Sequence, residues 1–271
     1  MSAVDPFLHL KAFILGVVEG LTEFLPVSST GHLIIAGHWL EFNSGRATSF
    51  EVFIQLGAIL SVCWYYRARL AAVLRGVGRD AEANLFVLNL AISFLPAAVV
   101  GFFAHGYIKT TLFRPEVVAW ALIIGGIAIL GVERLVGNTN AAQGPNIRRQ
   151  QALGIGLAQI LALVPGVSRS GATILGGMVC GLDRRTATEY SFFLAIPMMV
   201  AATTYDLAKS WDSLRPGDAG VFAVGFITAF FSALFAIRFL LRFVSRHSFA
   251  AFAWYRIVFG AGLLTLGGHA G

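Results

Sequence analysis

Six stretches of the chain are almost continuously apolar, at residues 50–66, 85–104, 116–136, 189–207, 220–240 and 251–268. Each approaches the roughly 20 residues that a helix needs to cross a bilayer. Two further segments, 7–40 and 151–180, are apolar at both ends and broken in the middle by a polar island. The first island runs Glu19-Gly-Leu-Thr-Glu23-Phe-Leu-Pro26-Val-Ser28-Ser29-Thr30-Gly31-His32, and the second Pro165-Gly166-Val167-Ser168-Arg169-Ser170-Gly171-Ala172-Thr173. The apolar pieces beside Pro26-Val-Ser-Ser-Thr-Gly are each too short to span. Pro26 lacks an N–H and Gly31 permits a tight turn. A helix–turn–helix that dips in and returns suits 7–40, and equally 151–180 around Pro165-Gly166. The pattern predicts an all-α polytopic membrane protein, one integral membrane domain over 1–271, with six transmembrane helices and two re-entrant helical hairpins.

The islands align with each other. Ser28 and Ser168 stand 140 positions apart, and the same offset pairs Gly16 with Gly156, Glu19 with Gln159, Thr30 with Ser170, Gly31 with Gly171 and Ala47-Thr48 with Ala187-Thr188. Two homologous halves follow, 7–136 and 151–268, each a hairpin followed by three spans. Three is odd, so the second half inserts upside down relative to the first. Inverted repeats bring broken segments together near the midplane. Non-helical backbone at that depth is tolerated only where it faces protein or water. The islands are therefore expected to face each other across a polar pocket.

Composition supports the membrane reading. Hydrophobic residues make up 57% of the chain and charged residues 13%, about half the charged share usual in a soluble domain, and mean hydropathy is +0.75. The net charge of +6 would point to nucleic acid in a soluble protein. Here the basic residues lie between apolar spans without aromatic interleaving, so topology explains them and nucleic-acid binding is excluded. Arg67, Arg69, Arg75, Arg79, Arg148, Arg149, Arg184, Arg185, Arg238, Arg242 and Arg246 fall on one side if six spans alternate. That side is expected to be cytoplasmic, with 105–115, 208–219 and both ends of the chain outside. Asp5, Glu19 and Glu23 interrupt the N-terminal region, which predicts no cleavable leader. Cys63 and Cys180 show no metal-ligand spacing and are expected to be free thiols.

Ionisable side chains are costly in a bilayer and are kept mainly where they work or pair. Glu19 and Glu23 are four apart and share a helix face. Two close carboxylates repel, so either one is protonated or a cation lies between them, and hard oxygen ligands suit Mg²⁺ or Ca²⁺. Ser28, Ser29 and Thr30 precede Gly31 at the start of a returning helix. Such residues are ordinary N-caps, but a helix N-terminus also favours anions, and a hydroxyl with a base is a nucleophile. His32 is a candidate base, nucleophile or proton donor. Arg169 can grip phosphate bidentately or pair with Glu19 or Glu23. Ser168, Ser170, Thr173 and the Gly166 and Gly171 backbone add donors. The Walker A spacing is absent.

These motifs resemble the bacterial undecaprenyl-diphosphate phosphatases of the bacitracin-resistance type. The likeness covers nearly the whole chain and includes Gln55-Leu-Gly-Ala-Ile and Glu189-Tyr-Ser-Phe-Phe-Leu-Ala-Ile-Pro197. It implies hydrolysis of undecaprenyl diphosphate to the monophosphate, recycling the lipid carrier of cell-wall synthesis in the bacterial inner membrane, with a pocket open to the periplasmic side. It implies a divalent cation, Mg²⁺ or Ca²⁺, places Glu19 and Glu23 in the metal or acid–base group, and makes Ser29 and His32 competing nucleophiles, either of which can instead assist the other. It assigns Ser168, Arg169, Ser170 and Thr173 to the diphosphate, and a homodimer is common in the family. The mechanism expected is attack by Ser29, activated by His32, while Arg169 holds the phosphates. The rival class is a transporter or flippase of a phosphorylated polyprenyl lipid or anion, which shares this architecture and needs no nucleophile. A purely structural subunit would not need so many complementary polar groups.

Overall fold

A computed structural model describes residues 6–42, 47–136, 147–210 and 216–267. The middle of the expected external segment 208–219, at 211–215, lies outside the described residues, as do 1–5 and the end of the last span at 268. Among the described residues there are eleven α-helices and no strand: α1 (Leu8–Thr22), α2 (Ser29–Trp39), α3 (Ala47–Tyr65), α4 (Arg67–Gly76), α5 (Ala81–Tyr107), α6 (Pro115–Val136), α7 (Arg149–Ile160), α8 (Arg169–Val179), α9 (Arg184–Ser210), α10 (Ala219–Val244) and α11 (Ala250–Gly267).

Helices overlap all six predicted spans. Four of them, α5, α6, α9 and α10, are long and apolar enough by themselves to cross a membrane. The fifth candidate is α3 joined to α4, with a 76° bend between them. α11 is a shorter apolar helix. The chain is thus a multi-pass integral membrane protein. The basic stretch after the first span is itself a helix, α4, which buries none of its side chains. Its Arg, Ala and Leu residues are strong helix formers, and its arginines keep it out of the apolar bundle. The two island segments are helix–turn–helix. At about 1.5 Å per residue, α1 spans about 22 Å and α2 about 17 Å, short of the roughly 30 Å hydrocarbon core.

The arms of the two hairpins pack on distant parts of the chain. α1 lies along α10, α7 along α5, α11 along α6, and α3 between α9 and α10. In lipid there is little hydrophobic drive between helices, so close backbone approach carries the association. A Cβ on Gly16 would sit 2.5 Å from the Gly225 carbonyl oxygen, and one on Gly20 only 2.4 Å from that of Ala229. The α7–α5 contact is built alike, with Gly156 against Ser93. Outward-facing Phe102, Phe103, Trp120, Phe231, Phe235 and Trp254 are exposed, giving the bundle an oily exterior, while Phe24 and Phe192 are fully buried and meet edge to face at 5.4 Å. Gly20→Ala is expected to destabilise the protein by about 1–3 kcal/mol through overpacking. The check is a thermal melt in detergent, and an unchanged melting temperature would show that α1 can retreat from α10.

At one end of the bundle Glu133 of α6 pairs with Arg184 of α9 and accepts the Phe249 N–H at 2.8 Å. Arg69 of α4 lies 3.7 Å from Glu189 of α9. Several arginine-bearing helix ends are thereby gathered together.

Candidate active site

Helix α1 carries the acidic pair. Glu23 follows its last turn with helical dihedrals (φ −63°, ψ −41°), its N–H bonded to the Glu19 carbonyl, so the two side chains leave one face. Glu19 is 0% exposed, and neither of its carboxylate oxygens has a hydrogen-bond partner. The chain then turns through Phe24–Val27 and starts α2 at Ser29.

Both turns end on a serine in the left-handed region. Ser28 has φ 71° and ψ 95°, and its Oγ accepts the Gly31 N–H. Ser168 has φ 78° and ψ 118°, and its Oγ accepts the Gly171 N–H. Such backbone is rare for a side-chain-bearing residue and costs about 1–3 kcal/mol, so it persists only where the surroundings enforce it. The helices that follow, α2 and α8, both have 11 residues. They also close alike: Phe42 N–H reaches the Gly37 carbonyl and Leu182 N–H that of Gly177, each at 2.9 Å. All of these equivalences lie 140 positions apart.

The two turns meet. Ser170 Oγ donates to the Leu25 carbonyl at 2.8 Å. Arg169, the first residue of α8, donates from Nη2 to Glu23 Oε1 at 3.1 Å. Ser29, the first residue of α2, donates from Oγ to Glu23 Oε2 at 2.5 Å. One carboxylate therefore holds a hydroxyl on one oxygen and a guanidinium on the other, and the two partners occupy equivalent places in the two hairpins.

Arg169 is held from behind. Its Nη1 donates to the Ser191 carbonyl at 3.0 Å, and its Cζ lies 5.8 Å from the Phe24 ring. Thr173 Oγ1 is 2.9 Å from the Arg169 carbonyl and 2.6 Å from Ser191 Oγ. Ser168 Oγ is 3.1 Å from Ser170 Oγ. Arg169 Nε is buried with no partner, leaving a donor for an anion. Thr30 stands half-buried beside Ser29. Gly166 takes φ +94°, and a Cβ there would lie 2.6 Å from the Val118 carbonyl oxygen, so this turn admits only glycine.

His32 faces elsewhere. Its Nδ1 is 2.7 Å from the Ser28 carbonyl, which can only accept, so Nδ1 carries the hydrogen. Its Nε2 is then the acceptor for the Tyr255 hydroxyl at 2.6 Å. The ring stacks on Tyr255 and on Phe259, with centroids 5.6 and 4.5 Å away. The expected Ser29–His32 pair is therefore not the one formed. Glu23 reaches across the turn and accepts the Ser29 hydroxyl, while both imidazole nitrogens are engaged with other groups. Tyr255 and Ser191 escaped the sequence reading. Tyr255 was a single phenol inside an apolar run, and Ser191 lay in the Glu189–Pro197 motif without an assigned task.

Glu19 and Glu23 are the residues that could hold a divalent cation. Glu19 offers two buried oxygens without donors, and such a group is costly unless neutralised or coordinated. Among the described residues no group of three or more His, Cys, Asp or Glu side chains converges as a metal site. An ion here would need further oxygen ligands from hydroxyls or water to complete its shell, as Mg²⁺ and Ca²⁺ commonly take.

The chain is similar to known proteins over nearly its whole length. Residues 12–262 match the family model described as bacitracin resistance protein BacA. The undecaprenyl-diphosphatase of Methylobacillus flagellatus is 56% identical over 262 residues, covering 95% of this chain and 97% of that protein. That of Nitrosospira multiformis is 56% identical over 257 residues, 95% and 94% of the two chains, and that of Laribacter hongkongensis 53% over 264 residues, 97% and 96%. Both polar islands lie within the matched span, and this chain belongs to the BacA bacitracin resistance family.

Proposed function

We propose that this protein hydrolyses undecaprenyl diphosphate to undecaprenyl phosphate and inorganic phosphate, the reaction for which its relatives are named. The observation that carries the mechanism is the Ser29–Glu23–Arg169 constellation. A nucleophile needs a base within hydrogen-bond reach and a third group to orient that base, and Glu23 stands between Ser29 and Arg169 in this way.

When the diphosphate enters, Arg169 can turn its fork to the phosphate oxygens, freeing the carboxylate for the serine's proton. Ser29 Oγ attacks the terminal phosphorus, and its proton passes to Glu23. The bond to the bridging oxygen breaks, and its electron pair leaves with the lipid monophosphate. Water then cleaves the phosphoserine, releasing phosphate and restoring the hydroxyl. Phosphoryl transfer depends chiefly on positioning and charge neutralisation, which the turn donors and Arg169 supply. His32, through its bond to the Ser28 carbonyl, holds the nucleophile's turn. Glu19 and Glu23 would hold the divalent cation, whose chemistry is to offset charge on the phosphates.

The arrangement we propose around this site is six spans and two re-entrant hairpins in an inverted repeat. The matched dihedrals of Ser28 and Ser168 and the crossed packing of α1 on α10 and α7 on α5 support it. The gathered arginine-bearing ends support a cytoplasmic face there, by the positive-inside rule. The site would then serve a lipid recycled from the outer leaflet of the inner membrane.

The test is phosphate release from undecaprenyl diphosphate by the purified protein, with Mg²⁺, with Ca²⁺ and with chelator. Release that chelator abolishes and metal restores is the expected result. Full activity in chelator would remove the cation from this reading. Lipid movement in liposomes without any release would replace the phosphatase by the transporter.

A further inference from the structure

We propose that Arg256, on α11, is the positioning residue that locks the two active-site turns to each other. This inference rests on Ser29 and Arg169 being the reacting pair. Arg256 is 1% exposed and is among the largest fully buried side chains of the protein. Its Nη1 donates to the Pro26 carbonyl at 3.1 Å and to that of Val167 at 2.9 Å. Its Nη2 donates to the Gly166 carbonyl at 3.0 Å and to that of Ala121 at 3.1 Å. Its Nε donates to the Leu122 carbonyl at 3.3 Å. One guanidinium thus ties the first turn, the second turn and α6 together.

Turn carbonyls at membrane depth have no helix partner and no water, and each must find a donor inside the protein. A buried cation with no carboxylate partner among the described residues is equally costly unless its donors are used. Each problem solves the other here. A planar fork with three nitrogens reaches five carbonyls on both turns and α6 at once; an ammonium is a point charge on a flexible stem. The bonded carbonyls stand directly upstream of the functional positions. Pro26 lies two residues before the left-handed Ser28, and Val167 lies immediately before the left-handed Ser168. The next residues are Ser29 and Arg169, which must reach the same carboxylate. Among the described residues Arg256 forms no hydrogen bond or ion pair with the Glu23, Ser29 or Arg169 side chains; it acts through the backbone that aims them.

Gly125 of α6 makes the space. A Cβ there would lie 2.1 Å from Arg256 Nη2 and 2.7 Å from Cζ. Gly125→Ala therefore displaces the fork while leaving the arginine in the chain. Position 116, the equivalent of 256 at the 140-residue offset, is a glutamate. A single side chain serves both turns, and the repeat supplies no second copy.

The experiment compares purified full-length wild type with Arg256→Lys, Arg256→Met, Gly125→Ala and the Gly125→Ala/Arg256→Lys double variant. Each is assayed on undecaprenyl diphosphate with the metal that supports the wild type, beside a thermal melt. Arg256→Lys is expected to lower kcat roughly 100-fold, the scale of a small misplacement of reacting groups, with KM nearly unchanged. Charge alone does not rescue. Gly125→Ala is expected to lower kcat about 10-fold, and the double variant to fall no further than Arg256→Lys, because both act through one contact. Wild-type kcat in Arg256→Lys, a loss confined to KM, or additive losses in the double variant would overturn the proposal. Should Arg256→Met not fold, Gly125→Ala and Arg256→Lys still decide. Ser29→Ala and Arg169→Ala run in parallel: activity retained in those two refutes the reacting pair, whereas their loss with active Arg256 variants refutes the positioning role alone.

Discussion

Ser29→Ala is expected to lower kcat by at least about 1,000-fold, the scale of removing an activated nucleophile, while the protein stays folded. The hydroxyl is half-buried and makes one side-chain bond, to Glu23. Its loss costs about 1 kcal/mol of stability, because Glu23 keeps its pairing with Arg169. Substrate binding should persist, since the phosphate donors are untouched. The measurements are kcat and KM for phosphate release and a detergent melt. Turnover within tenfold of wild type would remove Ser29 as nucleophile and return attention to His32, whose ring would then have to leave Tyr255 to reach phosphorus.

Arg169→Ala is expected to be nearly as damaging and to show in KM as well as kcat. The guanidinium has Glu23 on Nη2, the Ser191 carbonyl on Nη1 and an unpartnered buried Nε. Removing it takes away the only cation bonded to Glu23 among the described residues and leaves that carboxylate beside Glu19 without compensation. Breaking a buried pair costs about 3–5 kcal/mol, so a lower melting temperature should accompany the lost activity. Arg169→Lys separates the two roles. It restores charge, and with it most of the stability, but a point charge does not reproduce bidentate phosphate binding. Normal turnover by Arg169→Lys would show that charge alone suffices.

The sequence made the helical membrane architecture readable because its signals are local. Long apolar runs and two proline- and glycine-broken islands needed no tertiary information. The islands also named Glu23, Ser29 and Arg169 as candidates. Which of them touch depends on how two turns 140 residues apart meet, and no periodicity encodes that. His32 illustrates the limit. Its nearness to Ser29 along the chain predicted a base, yet α2 carries its ring toward Tyr255 and Phe259, while Glu23, six residues before the serine, reaches back across the turn. Arg256 was invisible for a related reason: a lone arginine in an apolar run has no motif around it, and its task is set by carbonyls from three other elements.

The order of synthesis adds a demand of its own. Glu19, Glu23 and Ser29 leave the ribosome within the first thirty residues, but Arg169 and the packing surface of α10 emerge far later. Until α10 exists, Gly16 and Gly20 have no helix to close on, and until α8 exists Glu23 has no guanidinium. The nascent first hairpin is therefore an acidic, half-length insert that packs only on itself and on α3. Assembly of the candidate site is therefore a late event, complete only once α8 and α10 have been made, and a chain truncated before α10 is expected to be open to membrane quality-control proteolysis.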